Sequence, residues 1–167
     1  QAGSQGAGAE MKLTTRQDIE APLDVVYARL TDFDHFERMA MRRGAEVERT
    51  DRLKTPGVGM AWRLKFIFRA KPRTVLVRFA DAEPGSHLAW AFDSPSLEGT
   101  AKIELVSLSA RRTRMTIAAE VRPKTLAARL VLQSLRLAKG RLQRKFDVSA
   151  GKLASMVEEQ FRASAQG

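Results

Sequence analysis

Up to Pro123, apart from one interruption after Pro22, the apolar residues of this chain recur at every second position. Beyond Pro123 they recur at helical spacing. That change of period constrains the fold more than any single motif, because alternation builds strands and the 3.6-residue period builds helices. The clearest stretch is "GMAWRLKFIFRAKPR", residues 59–73. Met60, Trp62, Leu64, Phe66 and Phe68 share one parity. Arg63, Lys65 and Arg69 share the other, with Ala61 and Ile67 among them. One face of this strand is therefore large and apolar, and the other is largely cationic.

Six further segments alternate in the same way. "MKLTTRQDIE" sets Leu13, Thr15, Gln17 and Ile19 on one face and forms the first strand. "AEVERTDR" is a short second strand with Val47 inward, and the aromatic stretch is the third. "TVLVRFADA", "HLAWAFDS", "TAKIELVSL" and "RMTIAAEV" read as the fourth to seventh. They carry Val75, Val77 and Phe79, then Leu88, Trp90 and Phe92, then Ile103 and Leu105, then Met115, Ile117, Ala119 and Val121. Between the first two strands, Pro22 suits a helix start and Asp24 complements the helix dipole. The "DFD" at 32–34 breaks this region into two short helices ending before Gly44.

After Pro123, Leu126, Leu130, Leu135, Ala138, Leu142, Phe146, Leu153, Val157 and Phe161 mark a helical stripe. One straight rod over 124–162 would span about 60 Å at 1.5 Å per residue. That exceeds the width of so small a domain, so a break is expected near Gly140. Hairpin-length connections imply an antiparallel sheet. A sheet with one apolar face needs a cover, and the long helix supplies it. The expected class is α+β: seven antiparallel strands curled around a long C-terminal helix, with two short helices between the first and second strands.

The chain has no cysteine, which removes disulfide and thiolate chemistry. His35 and His87 are its only histidines, too few for a multi-histidine metal site. No apolar run reaches the roughly 18 residues of a membrane span. Residues 1–10, "QAGSQGAGAE", have no apolar core of a signal peptide and read as a disordered tail or cloning remnant. A second tail is expected over 163–167. The default compartment is cytoplasmic. "GVG" lacks the third glycine and the helix of a dinucleotide fingerprint, and no Ser-His-Asp set can be assembled.

Net charge is +10, which favours anionic partners. The cations cluster in "RAKPR" (Arg69, Lys71, Arg73), "ARRTR" (Arg111, Arg112, Arg114) and "KGRLQRK" (Lys139, Arg141, Arg144, Lys145). Exposed aromatics for base stacking are not evident, so an acidic membrane surface is the expected anionic partner rather than nucleic acid.

Three stretches together resemble the START-like superfamily, also called SRPBCC or the birch-pollen-allergen fold. They are "IEAPLDVVYARLTDFDHFERM", "PGVGMAWRLKF" and the amphipathic terminal helix, and the likeness spans residues 11–162. The resemblance implies a helix-grip domain with an apolar cavity between sheet and helix. Members bind lipids, sterols, quinones, polyketides or plant hormones, and some act as polyketide cyclases or aromatases.

On that resemblance the expected cavity residues are Trp62, Leu64, Phe66, Phe79, Trp90, Phe92, Met115 and Ile117. Thr15, Gln17 and Arg49 share the inward parity and are candidates to orient a polar headgroup. Inward carboxylates are missing from most strands, since Asp93, Glu104 and Glu120 fall outward. The expected function is therefore a carrier of a small apolar ligand, with no catalytic residue, cofactor or metal. The first alternative is a polyketide cyclase or aromatase with His35, between the two short helices, as the residue to test. The second is a membrane-surface or protein-interaction adaptor. Oligomeric state and ligand identity are left open.

Overall fold

A computed structural model of the chain describes residues 10–166. Strand β1 (Met11–Ile19) leads through Ala21-Pro22 into α1 (Leu23–Leu30) and α2 (Phe33–Arg42). Then come β2 (Glu46–Arg49), β3 (Ala61–Phe68), β4 (Lys71–Glu83), β5 (His87–Asp93), β6 (Leu97–Ser109) and β7 (Arg112–Pro123). The chain ends in α3 (Leu126–Arg136) and α4 (Lys139–Gln166). The sheet order is β1-β7-β6-β5-β4-β3-β2, and every pair is antiparallel. All hairpins are consecutive except the closing pair, in which β1 returns to lie beside β7. This is the helix-grip arrangement expected from the alternation, the hairpin-length connections and the terminal helix.

The helix boundaries follow local chemistry. Pro22 precedes α1, and its carbonyl accepts from Val26 N at 3.0 Å. The break between the short helices falls at Thr31, whose hydroxyl bonds back to the Tyr27 carbonyl at 2.9 Å. Asp32 then caps α2 by accepting from the His35 backbone N–H. Thr125 caps α3 in the same way, accepting from Ala128 N.

Three boundaries differ from the expectation. Strand β4 starts at Lys71, because Arg69 and Ala70 make a two-residue hairpin turn with φ of 53° and 64°. Pro72 thus sits inside β4, opposite Ile67, where β5 does not yet pair and no ladder donor is needed on that side. Strand β6 starts at Leu97, since Ser94 closes a tight turn over Pro95 and Ser96 by bonding Leu97. The helix break, by contrast, falls at Leu137–Ala138, beside Gly140 as expected. At the C-terminus α4 continues to Gln166, so residues 163–166, expected in a tail, are helical. The expected N-terminal tail, save Glu10, lies outside the described residues.

The core forms where the concave sheet face meets α1 and α4. Ile19, Val26, Leu88, Met115 and Val157 have no exposed surface. Alanines Ala150 and Ala154 face inward on α4, while Phe146 and Leu153 are half-buried against the same core. The first part of the anticipated helical stripe does not face inward. α3 turns Ala128 and Leu132 toward the protein and leaves Leu126 and Leu130 exposed, because 128 and 132 lie nearly opposite 126 and 130 on the helical wheel. Among the described residues, no helix is long and apolar enough to cross a membrane.

Candidate functional site

Helix α2 packs over β2, and a cavity of about 290 Å³ remains between it and the sheet. Phe33, Phe36, Glu37 and Ala40 form its roof. These positions follow i, i+3, i+4 and i+7, one face of a helix. Leu30 of α1 and Leu153 of α4 close one side. The floor is sheet: Val47 of β2, Trp62 and Leu64 of β3, Val77 of β4, Trp90 of β5 and Ile103 of β6. The wall is almost wholly apolar, and Glu37 is its one ionisable side chain.

Aromatic contacts hold the wall in place. Phe33 packs on Trp62 at 5.5 Å and on Phe79 at 5.1 Å between ring centroids, and Phe79 packs on Trp90 at 5.4 Å. All three are tilted pairs, the arrangement that ring quadrupoles favour over a face-to-face sandwich. The indole N–H of Trp62 donates to Glu37 Oε1 at 2.7 Å. That bond joins roof to floor and fixes the orientation of one of the floor's two tryptophans.

The cavity edge carries a charged relay. Arg49 lies across the strand pair from Trp62, its guanidinium carbon 5.7 Å from the ring centroid. Arg49 donates twice to Asp51, at 2.7 Å each, and Asp51 also accepts from Leu53 N and Ala61 N. These bonds, Arg49 first and Ala61 next, hold the Asp51 carboxyl well below the usual carboxylate range. The Asp51 hydrogen bond likewise raises Arg49 above its ordinary value, and the charges of Asp51, Glu37 and Asp34 add to that rise. The order along the edge is thus Glu37, Trp62, Arg49, Asp51, alternately anionic and cationic around an indole.

Of the expected cavity residues, Trp62, Leu64 and Trp90 line the space. Phe79 is buried directly behind it as the support for Phe33 and Trp90. Met115 and Ile117 lie in the packed core on β7, away from the lining. Phe66 and Phe92 are half-buried nearer the β3–β4 turn and are not part of the wall. Thr15 is buried on β1, and Gln17 reaches α4, donating to the Asp147 carbonyl at 3.4 Å. Neither meets the cavity, because β1 lies at the far edge of the sheet from β2 and β3. Arg49 is committed to Asp51 rather than to the interior.

His35 is also off the wall. It falls about 200° around α2 from Phe33, and its ring instead meets Phe36 edge-on at 5.6 Å. Its buried Nε2 has no hydrogen-bond partner among the described residues. The residues that sequence reasoning missed are chiefly Phe33, Phe36, Glu37 and Ala40. Their helical spacing was a readable signal, but the strands drew attention because their alternation is stronger. No three His, Asp or Glu side chains among the described residues converge as a metal-binding set.

Comparison with known proteins places this geometry in context. The family described as "Polyketide cyclase / dehydrase and lipid transport" matches residues 10–158. No curated protein sequence matches the chain. Among solved structures, the aromatase/cyclase Zhui from a Streptomyces species is similar at a TM-score of 0.69 and 16% identity, covering 93% of this chain and 98% of that one. Ara h 8.0201 is similar at 0.62 and 9%, covering 92% and 99%. Norcoclaurine synthase from Thalictrum flavum, solved with dopamine and hydroxybenzaldehyde, is similar at 0.63 and 12%, covering 90% and 87%. At such identities these likenesses show a shared fold.

Proposed function

The chain belongs to the polyketide cyclase/dehydrase and lipid transport family, and from that premise we propose that it is a carrier holding a small apolar molecule beneath α2. The observation that supports this most is the wall itself: eleven apolar side chains and a single carboxylate around about 290 Å³. That is near the lower end of the range for small-molecule pockets, so the ligand is compact. Burial drives its binding, at about 25 cal/mol for each Å² of apolar surface removed from water. Glu37 gives one oxygen to Trp62, and its other oxygen serves to accept a hydrogen bond from a ligand hydroxyl, which sets orientation.

Trp62 and Trp90 are the only tryptophans, and both line the cavity. Intrinsic fluorescence therefore reports on this site alone. A panel of quinones, flavonoids and fatty acids is expected to quench it saturably, and native mass spectrometry of protein from its own host is expected to show a bound mass. A panel with no quencher would overturn the carrier reading. The cyclase or aromatase alternative would rest on Glu37, the wall's one ionisable group, and not on His35. Turnover of a bound polyketide-like compound that Glu37→Gln abolishes, with its quenching intact, would favour that alternative.

A further inference from the structure

Two long stretches of the chain contain no carboxylate. From Arg52 to Ala80 there are eight cations and no Asp or Glu, and from Val121 to Phe146 there are again eight and none. The fold brings both to one end of the sheet. The start of β4 runs past the last residue of β5, because Leu76 is the β4 residue that pairs with Asp93. Asp93 pairs with Glu98, and Leu97 pairs with Pro123, after which α3 begins. The β3–β4 turn and the entrance to α3 therefore lie at the same end.

Both elements expose large apolar side chains there. Ile67 is 77% and Phe68 54% exposed beside the turn, flanked by Lys65, Arg69, Lys71 and Arg73. On α3 and just beyond it, Leu126 is 72% and Leu137 93% exposed, with Leu130 between them. At 100° per residue, 126, 130 and 137 fall within about 40° of one another, a single stripe. Arg129 and Arg136 border it on α3, and Lys139, Arg141, Arg144, Lys145 and Lys152 continue the basic surface along α4. The carboxylates of this end are already engaged: Asp93 by Lys124 at 2.7 Å, and Glu10, Glu98 and Glu120 around Arg122 at 3.9–4.0 Å. Among the described residues, Arg69, Lys71, Arg73, Arg129, Arg141, Arg144 and Lys145 have no carboxylate within salt-bridge distance.

We propose that this end of the molecule is a docking surface for anionic lipid bilayers, with α3 and the β3–β4 turn as its two points of insertion. An amphipathic helix with leucines on one stripe and arginines at its border matches the interface between headgroups and acyl chains, and unpaired cations match an acidic leaflet. A nucleic acid would satisfy the cations but would leave the leucines and Ile67 in water. A second copy of the chain would bury the leucines but would bring two uncompensated cationic surfaces together.

Co-sedimentation with vesicles tests this on the full chain. The chain is expected to bind phosphatidylcholine vesicles containing phosphatidylserine, to ignore pure phosphatidylcholine, and to be released by added salt. The Leu126→Ser/Leu130→Ser/Leu137→Ser variant is expected to bind at least about tenfold more weakly, and Ile67→Ser/Phe68→Ser to weaken binding as well. All five positions are exposed, so the variants retain the fold, which unchanged circular dichroism and tryptophan quenching verify. Equal binding to neutral and anionic vesicles, or none to either, overturns the proposal. So does a dimer in sedimentation equilibrium that the leucine variant abolishes, or salt-resistant binding to a DNA or RNA oligomer. Because the cavity is read separately by quenching, failure here is distinct from failure of the carrier reading.

Discussion

On the β1–β7 side of the sheet, α4 lies close, and Ile19, Met115 and Val157 are sealed from solvent. On the β2–β5 side the same alternating pattern of apolar residues faces the cavity beneath α2. The strands do not explain the difference, since Met115 and Leu64 occupy equivalent inward positions. The helices do. Where α4 approaches β1 it presents Ala150, Gly151 and Ala154, so backbones come near and side chains interlock. Over β2 and β3 the cover is α2, which presents Phe33 and Phe36 and is held at a distance by those rings and by the Glu37–Trp62 bond. Small residues on a cover make core, and large ones propped apart make a cavity.

That contrast predicts unequal mutational costs. Met115→Ala, on the sealed side, is expected to destabilise by about 2–5 kcal/mol, since a fully buried side chain leaves a void that its neighbours only partly fill. Urea denaturation checks it. A cost below about 1 kcal/mol would mean that the two sides are not packed differently. At the prop, Glu37→Leu deprives the Trp62 indole of its acceptor and is expected to cost about 1–3 kcal/mol. Glu37→Gln, which keeps an acceptor oxygen, should recover most of that. On the open side, Ala40→Phe adds a ring to existing space. It is expected to change stability by less than about 1 kcal/mol while weakening quencher binding about tenfold or more.

The smallest effect concerns acid. Asp18 is held below its ordinary value of 3.8, first by its hydrogen bond with Arg114 across β1 and β7. Asp51 is lowered in the same direction on the cavity side. A carboxylate whose folded pKa is depressed contributes stability above its unfolded value and loses it as pH falls through the folded value. Stability should therefore decline as pH drops below about 4. Asp51→Asn is expected to flatten part of that decline, read from tryptophan emission in an acid titration. An unchanged slope would place the acid sensitivity on the sealed side with Asp18.

How much of this was legible beforehand follows the same division. Inward parity on β5 and β7 could be read directly, because one apolar face alternates there without interruption. The bulge between Phe79 and Asp81 in β4 was not readable, since it inserts a residue without changing composition. The Arg69–Ala70 turn was hidden for a related reason: it has positive φ at both residues and neither Gly nor Asn to announce it. In the site, the floor residues Trp62, Leu64 and Trp90 were recognisable. The roof was not, because whether a helix presses on a sheet or stands off it depends on tertiary contacts. Met115, Ile117, Thr15 and Gln17 shared the right parity but lie across the sheet from the space. Parity assigns a face and says nothing about position along the curl.

The pairing of β1 with β7 has a consequence for the order of assembly. Met11 meets Val121 and Ile19 meets Thr113, so the first strand waits for almost the last one. Helix α4, which covers β1, is made later still. Closing so long a loop costs entropy before any contact repays it. A nascent chain can form the β3–β4 and β4–β5 hairpins early, yet it lacks a partner for the apolar side of β1 until β7 and α4 have been made. Folding should therefore fall toward the slow, millisecond-to-second range of topologies rich in non-local contacts. During that interval Leu13 and Ile19 remain uncovered and depend on chaperones or on speed to avoid mispairing.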